Sequence, residues 1–224
     1  MDAIEKTQKE NIHEAAKAMA ASIEAGRWVH TFGCGHATLP VEEMYPRIGG
    51  FVGFHPMIEL PLTFFTRITG EMGIHQFLFL ERAEGYGKEI MKGYDFDPRD
   101  TMWIFSHSGI NNVNIDIALE AKKIGMKTIV CGSAAAAKGK KTRHSCGKTI
   151  FDLADIVVDS SPVERLLLVL PLSDAHDLPE LAVVFCQILQ QVVIEIAAQP
   201  HRGQHEDHPV VHSFTTTLGI GPLV

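Results

Sequence analysis

Two rhythms of apolar and polar positions share this chain. Short apolar runs recur as "WVHTFG" (28–33), "FVGFH" (51–55), "TMWIFSH" (101–107), "KTIVCG" (127–132) and "IVVDS" (156–160). Such runs, bounded by polar or turn-forming residues, predict buried strands. Between them apolar residues return at steps of three and four, the helical period. A first helix is predicted over 3–25, with Ile4, Ile12, Ala15, Ala16, Met19 and Ile23 on its apolar side and Gly26 as its stop. A short helix is predicted over 37–48, with Pro40 in its first turn and Pro46 near its end. Further helices are predicted over about 80–94 despite Gly85 and Gly87, over 111–125 closed by Gly125, for one turn after 150, and over 179–198. Residues 56–78, broken by Pro56, Pro61, Gly70 and Gly73, read as irregular. Residues 133–149 read as a polar loop, and 199–224 show no period. Apolar strands separated by helices imply a parallel sheet covered on both faces. The expected fold is a three-layer αβα sandwich around a five-stranded parallel sheet.

Composition narrows the function classes. With 224 residues, 46% of them hydrophobic, the chain can build one sizeable core. Net charge is −7 and no basic block appears, which argues against a nucleic-acid surface. The longest apolar segment, 178–198, is broken by Gln187, Gln190, Gln191 and Glu195, so no membrane span is expected. The start, "MDAIEKTQKENIHEAAKAMA", is charged and amphipathic and has no secretory core. Cys34, Cys131, Cys146 and Cys186 form no C-x-x-C pair. Neither a zinc framework nor a disulfide scaffold is expected, and the plain reading is a cytoplasmic protein with reduced thiols.

Two strand-to-helix turns carry the candidate chemistry: "TFGCGHAT" (31–38) and "FSHSGINN" (105–112). Each sets small residues between a strand end and a helix start, where backbone N–H groups lack partners and the helix dipole is positive. Glycine admits close approach, and serine adds a donor. Such a turn suits an anion, phosphate above all. Neither turn is GxGxxG, and no P-loop is present, so no cofactor is expected. A tight turn would explain "GCG" alone, and an N-cap would explain Ser106 alone. Two serines flanking a histidine, then glycine, exceed what capping needs. In a sheet ordered 2-1-3-4-5, strands one and three are neighbours where the order reverses, and ligands bind there. The two turns follow those two strands.

At this point the residues resemble a family. "FGCGHATLPVEEMYPRIGG", "FLERAEGYGKEIM", "FSHSGINNVNIDIALEAKKIGMKTI" and "TRHSCGKTIFDLADIVVD" are similar, in order, to the SIS (sugar isomerase) domain, nearest to bacterial single-domain SIS proteins described as phosphosugar isomerases. The resemblance implies a flavodoxin-like strand order, with an N-terminal helix (1–26) packing on the domain or a partner subunit, an SIS domain (27–198) and a tail (199–224). It implies a sugar phosphate as ligand, aldose–ketose isomerisation as activity, and a homodimer or homotetramer with sites near the interface. Ser106, His107, Ser108, Gly109 and Asn111 would hold phosphate, Gly33 and Gly35 would line the other wall, and Ser133, Arg143 and Lys148 would complete the pocket. Glu43 matches the glutamate that phosphoheptose isomerases use as base. Three departures stand out: Ala37 where relatives carry serine, Ile110 where they often carry arginine, and an apolar "PELAV" at the start of the last helix. They leave a non-catalytic phosphosugar sensor as the alternative.

Isomerisation through an enediol needs a base and an acid. The candidates are Glu43, Glu84, His36 and His144, with Glu81, His55 and His107 also in range. A solvated helix face explains Glu42 and Glu43 equally well, and a surface pair explains Glu81 or Glu84. A mobile polar loop is the bland reading of "TRHSCGK", and a cationic flap over the ligand is the sharper one. In the tail, His201, His205, His208 and His212 flank Glu206 and Asp207. Loose packing is the plainer account of them, and no metal is assigned. Cys34 reads as a packed thiol.

Overall fold

A computed structural model describes residues 2–45, 52–63 and 73–160. The expected last helix and the histidine-bearing tail lie outside the described residues, as do Pro46 and the stretch 64–72. Five strands form one sheet: β1 (Val29–Gly33), β2 (Phe54–Pro56), β3 (Thr101–Phe105), β4 (Lys127–Gly132) and β5 (Ile156–Asp159). Every pairing is parallel, and the order is β2-β1-β3-β4-β5. This is the architecture that the apolar pattern predicts.

Alternate strand residues face opposite layers. Val29, Trp103, Phe105, Ile129, Cys131 and Val158 pack under α1 (Asp2–Glu24) and α2 (Leu39–Glu43). The helix contributes Ile12, Ala15, Ala16, Met19 and Ile23, one apolar stripe at helical spacing. Phe32, Met102, Ile104 and Val130 face the other layer. That layer holds α3 (Gly73–Leu80), α4 (Tyr86–Met91), α5 (Asn112–Ile124) and α7 (Ile150–Leu153). Each fully buried large side chain, such as Phe32 or Trp103, contributes about 1.5–3 kcal/mol. The short α6 (Ala134–Ala137) follows β4. There Ser133 Oγ accepts from Ala136 N at 3.0 Å, so a cap makes a helical turn where the sequence reads as loop.

Of the predicted 80–94 helix, only Tyr86–Met91 forms a helix beyond Leu80. The preceding α3, Gly73–Leu80, lies mostly within the stretch expected to be irregular. Residue Gly85, at φ +90°, then opens α4. The carboxylate of Asp116 on α5 accepts from Gly85 N at 2.7 Å and Gly87 N at 3.2 Å, which holds the break. Gly87 also sits so close to Val113 O and Asp116 Cβ that any side chain would collide. The first helix after β1 is likewise shorter than predicted, ending at Glu43.

The amino ends of the strands are tied by one buried carboxylate. Asp100 accepts from Arg27 Nε (2.9 Å), Arg27 Nη2 (3.1 Å), Trp28 N (3.0 Å) and Asp97 N (2.8 Å). It also accepts from His30 Nε2 at 3.2 Å. That leaves His30 Nδ1 as acceptor for His55 Nδ1, 2.8 Å away on the neighbouring strand. No described helix is long and apolar enough to cross a membrane.

Candidate functional site

Both marked turns leave the carboxyl ends of adjacent strands. Gly33 ends β1 and Phe105 ends β3, and the two are partners in register. After Gly33, the chain enters a 3-10 turn, Gly35–Thr38, with Gly35 at φ +60°. A side chain on Gly33 would collide with Ala37 O, so glycine is what lets the turn fold back onto its own strand. After Phe105, Gly109 takes φ +66° and lies against Phe151 and Ile150. The Gly109 carbonyl accepts from Ile150 N at 2.9 Å.

Ser106 is buried. Its Oγ accepts from Gly109 N (3.3 Å) and Asn114 Nδ2 (3.1 Å), so it shapes the turn from inside. Ser108 is half-buried and His107 exposed. Among the described residues, the backbone N–H groups of Ser108, Ile110, Asn111 and Asn112 donate to no protein acceptor. They stand at the N-terminus of α5, a helix of 13 residues. This is a cradle of donors at the positive end of a helix dipole.

The two turns are knitted together. Cys34 Sγ donates to Asn114 Oδ1 at 3.5 Å, and Asn114 in turn donates to Ser106. Burial, reinforced by the Glu81 carboxylate, pushes the Cys34 thiol well above its ordinary range. It is a packed thiol and not a nucleophile. Asn111 Nδ2 donates to Glu81 Oε2 at 2.7 Å, and Arg143 Nη1 donates to Asn111 Oδ1 at 2.6 Å. Arg143 N also donates to Ile110 O at 3.3 Å. Ile110 itself is buried and brings no charge. Arg143, from the distant polar loop, brings a guanidinium to the same turn.

The four expected acid–base residues fall in different settings. His36 is exposed on the first turn, and Glu43 is exposed at the end of α2. Glu84 accepts from both Ser145 Oγ and Ser145 N, the latter at 2.9 Å, and these bonds hold its carboxyl below the usual range. His144 is buried. Its Nδ1 accepts from Cys146 N (3.0 Å), so Nε2 carries the proton and donates to Asp116 Oδ1 (3.0 Å). Both ring nitrogens are thereby used within the fold, and His144 holds the polar loop to α5. Ser133 is fully buried, and its hydroxyl caps α6. Lys148 is exposed beside the capping box of α7. The structure thus brings Gly33, Gly35, Ser106, Ser108, Gly109, Asn111 and Arg143 around the two turns. Ser133 is engaged in a cap and His144 in loop anchoring. Among the described residues, no group of three or more metal-ligating side chains is assembled.

Glu81, bonded to Asn111 of the second turn, is a buried carboxylate, 7% exposed. Burial raises its pKa, and the Arg82 and Arg143 charges oppose the rise. Its sequence signal was only its place in "ERAE". Burial became visible once α3 was seen to stop at Leu80 and to turn Glu81 under the second turn.

A doubly wound parallel sheet with two glycine-bearing turns at its switch point defines the class of the protein. The chain belongs to the SIS-domain family, whose model matches residues 1–133. It is 37% identical over 153 residues to a UPF0309 protein of Listeria monocytogenes serotype 4b, covering 68% of this chain and 60% of that one. A UPF0309 protein of Geobacillus sp. is 32% identical over 164 residues, covering 73% and 64%. The matched region is therefore less than two thirds of the length of these relatives. Among solved structures, a phosphoheptose isomerase from Francisella tularensis superposes with a TM-score of 0.54 at 14% identity, over 86% of this chain and 88% of that one. That likeness is one of fold.

Proposed function

We propose that the chain is a phosphosugar isomerase that binds a sugar phosphate at the carboxyl ends of β1 and β3. The observation that carries the reading is the cradle of N–H groups of Ser108, Ile110, Asn111 and Asn112, unpaired among the described residues and set beside the Gly33–Gly35 turn. The phosphate sits on that cradle, with the Ser108 hydroxyl as a further donor and the Arg143 guanidinium as counter-charge. The first turn, through Gly33, Gly35 and His36, forms the facing wall. A carboxylate of the site moves a proton between adjacent carbons, which is the chemistry of aldose–ketose exchange. The named likeness to a phosphoheptose isomerase fold and the membership of the SIS family both support a phosphosugar ligand.

The test uses the full chain with a panel of tetrose, pentose, hexose and heptose phosphates in deuterated water. Deuterium enters at the carbon beside the carbonyl for at least one aldose or ketose phosphate. Thermal protection by a sugar phosphate with no exchange anywhere in the panel rejects the isomerase and leaves a binding role. Neither protection nor exchange rejects both.

A further inference from the structure

We propose that Glu81 carries the proton in this reaction, and that Glu43 and Glu84 do not. The inference rests on the isomerase reading above. Glu81 follows the last residue of α3, and its carboxylate lies between the two turns. Oε2 is fixed by Asn111 Nδ2 at 2.7 Å, and the Glu81 carbonyl accepts from Val113 N at 3.3 Å. Both partners belong to the start of α5, whose N–H groups form the phosphate cradle. On the other side Glu81 is close enough to Cys34, in the first turn, to oppose loss of its proton. A ligand bridging the two turns therefore lies beside this carboxylate.

The two oxygens differ. Oε2 is held, whereas among the described residues Oε1 has only Arg82 Nε, at 3.7 Å. That is beyond hydrogen-bond reach, so Oε1 keeps a lone pair for a proton. Each Glu84 oxygen already accepts from Ser145, and its side chain is 40% exposed. Glu43 is exposed at the end of α2. Electrostatics point the same way. Burial strengthens Glu81 as a base, while the Ser145 bonds weaken Glu84. Arg143 is one of the two charges that moderate Glu81. When a bound phosphate pairs with Arg143, that moderation weakens, and Glu81 becomes a stronger base with substrate in place.

The step balances within the substrate. Oε1 takes the proton from the hydroxyl-bearing carbon next to the aldehyde. The C–H electron pair becomes the C=C bond, the carbonyl π pair moves onto its oxygen, and that oxygen takes the proton of the neighbouring hydroxyl. Glu81 then returns its proton to the former aldehyde carbon. The oxygen that gave up its proton re-forms a C=O bond as the ketone. No oxidant, reductant or leaving group is required.

The experiment measures deuterium exchange by the full chain, using the sugar phosphate from the panel that exchanges fastest. Glu81→Gln lowers exchange by at least about a hundredfold, with thermal protection by the same sugar phosphate retained. Glu84→Gln and Glu43→Gln each cost less than tenfold. Added formate restores exchange to Glu81→Ala, which a merely structural carboxylate would not allow. Glu81→Asp, which keeps a carboxylate, moves the pH midpoint of exchange. Wild-type exchange with Glu81→Gln within tenfold of it, or an Asp variant with an unmoved pH profile, overturns the assignment and leaves the isomerase standing. A wild-type chain that exchanges no sugar of the panel overturns the isomerase and this inference with it.

Discussion

Ser106 and Ser108 occupy one turn and do different jobs. The Ser106 hydroxyl is buried and accepts from Gly109 N and Asn114 Nδ2, so its removal strands two buried donors. Each stranded donor costs about 1–3 kcal/mol. Ser106→Ala should therefore lower the urea midpoint of unfolding with an unchanged slope. Ser108 is half-buried, and among the described residues its hydroxyl holds nothing in place. Ser108→Ala should leave the unfolding free energy within about 0.5 kcal/mol of wild type while weakening thermal protection by a sugar phosphate. Equal stability of the two variants would refute the division. The S-x-S-G pattern made this turn legible in the sequence, because small residues between a strand and a helix have few other uses. The inward and outward roles were not legible, since they depend on Asn114, in the first turn of α5 and eight residues beyond Ser106. Ile110 shows the same limit. From sequence it is a missing charge, and in the fold Arg143, 32 residues beyond Asn111, brings a guanidinium to the same turn.

At the scale of elements, strands were easier to read than helices. Their apolar runs are short and bounded, and all five appear in the order that the topology rules favour. The second strand still shifts, from 51–55 to Phe54–Pro56. The helical layer over the site was harder. "GIHQFLFL" is apolar on several sides, so it carries no clear stripe, and it forms α3 inside a stretch that reads as irregular. The break between α3 and α4 is held by Asp116, 31 residues from Gly85, and no local pattern contains that partner. Asp116 is the hub of this layer, because it also accepts from His144 Nε2. Asp116→Ala leaves Gly85 N, Gly87 N and His144 Nε2 without their acceptor. A loss of about 2–4 kcal/mol is expected, read as a lower urea midpoint. The polar loop carrying Arg143 should also become more open to proteolysis, because His144 anchors it. Wild-type resistance of that loop in the variant would show that Arg143 and Ser145 hold it without Asp116.

The whole molecule carries a pH dependence set at the opposite end of the sheet from the site. His30 lies in β1, 2% exposed, and burial pushes its pKa down from 6.5 to about 4, against the pull of Asp100. Burial lowers His55 beside it as well. A histidine whose folded pKa lies below its unfolded value contributes its full share above the unfolded pKa. As pH falls through 6.5 the unfolded chain takes up protons that the folded chain refuses, and stability declines until about pH 4. The difference between those two values corresponds to about 3 kcal/mol for His30. Asp100 behaves with the opposite proton preference, since its bonds to Arg27, Trp28 N, Asp97 N and His30 outweigh burial and hold its carboxyl below 3.8. Its share is present above 3.8 and is lost only on further acidification. The two groups thus act in successive windows, the histidines first. Urea unfolding measured from pH 7.5 to pH 3 should fall between about 6.5 and 4, then again below that range. His30→Asn should reduce the fall in the upper window to the share of His55 while leaving the lower one, even if it costs stability at neutral pH. A wild-type curve that is level from pH 7 to pH 4 would mean that His30 takes up its proton inside the fold, beside Asp100, without penalty.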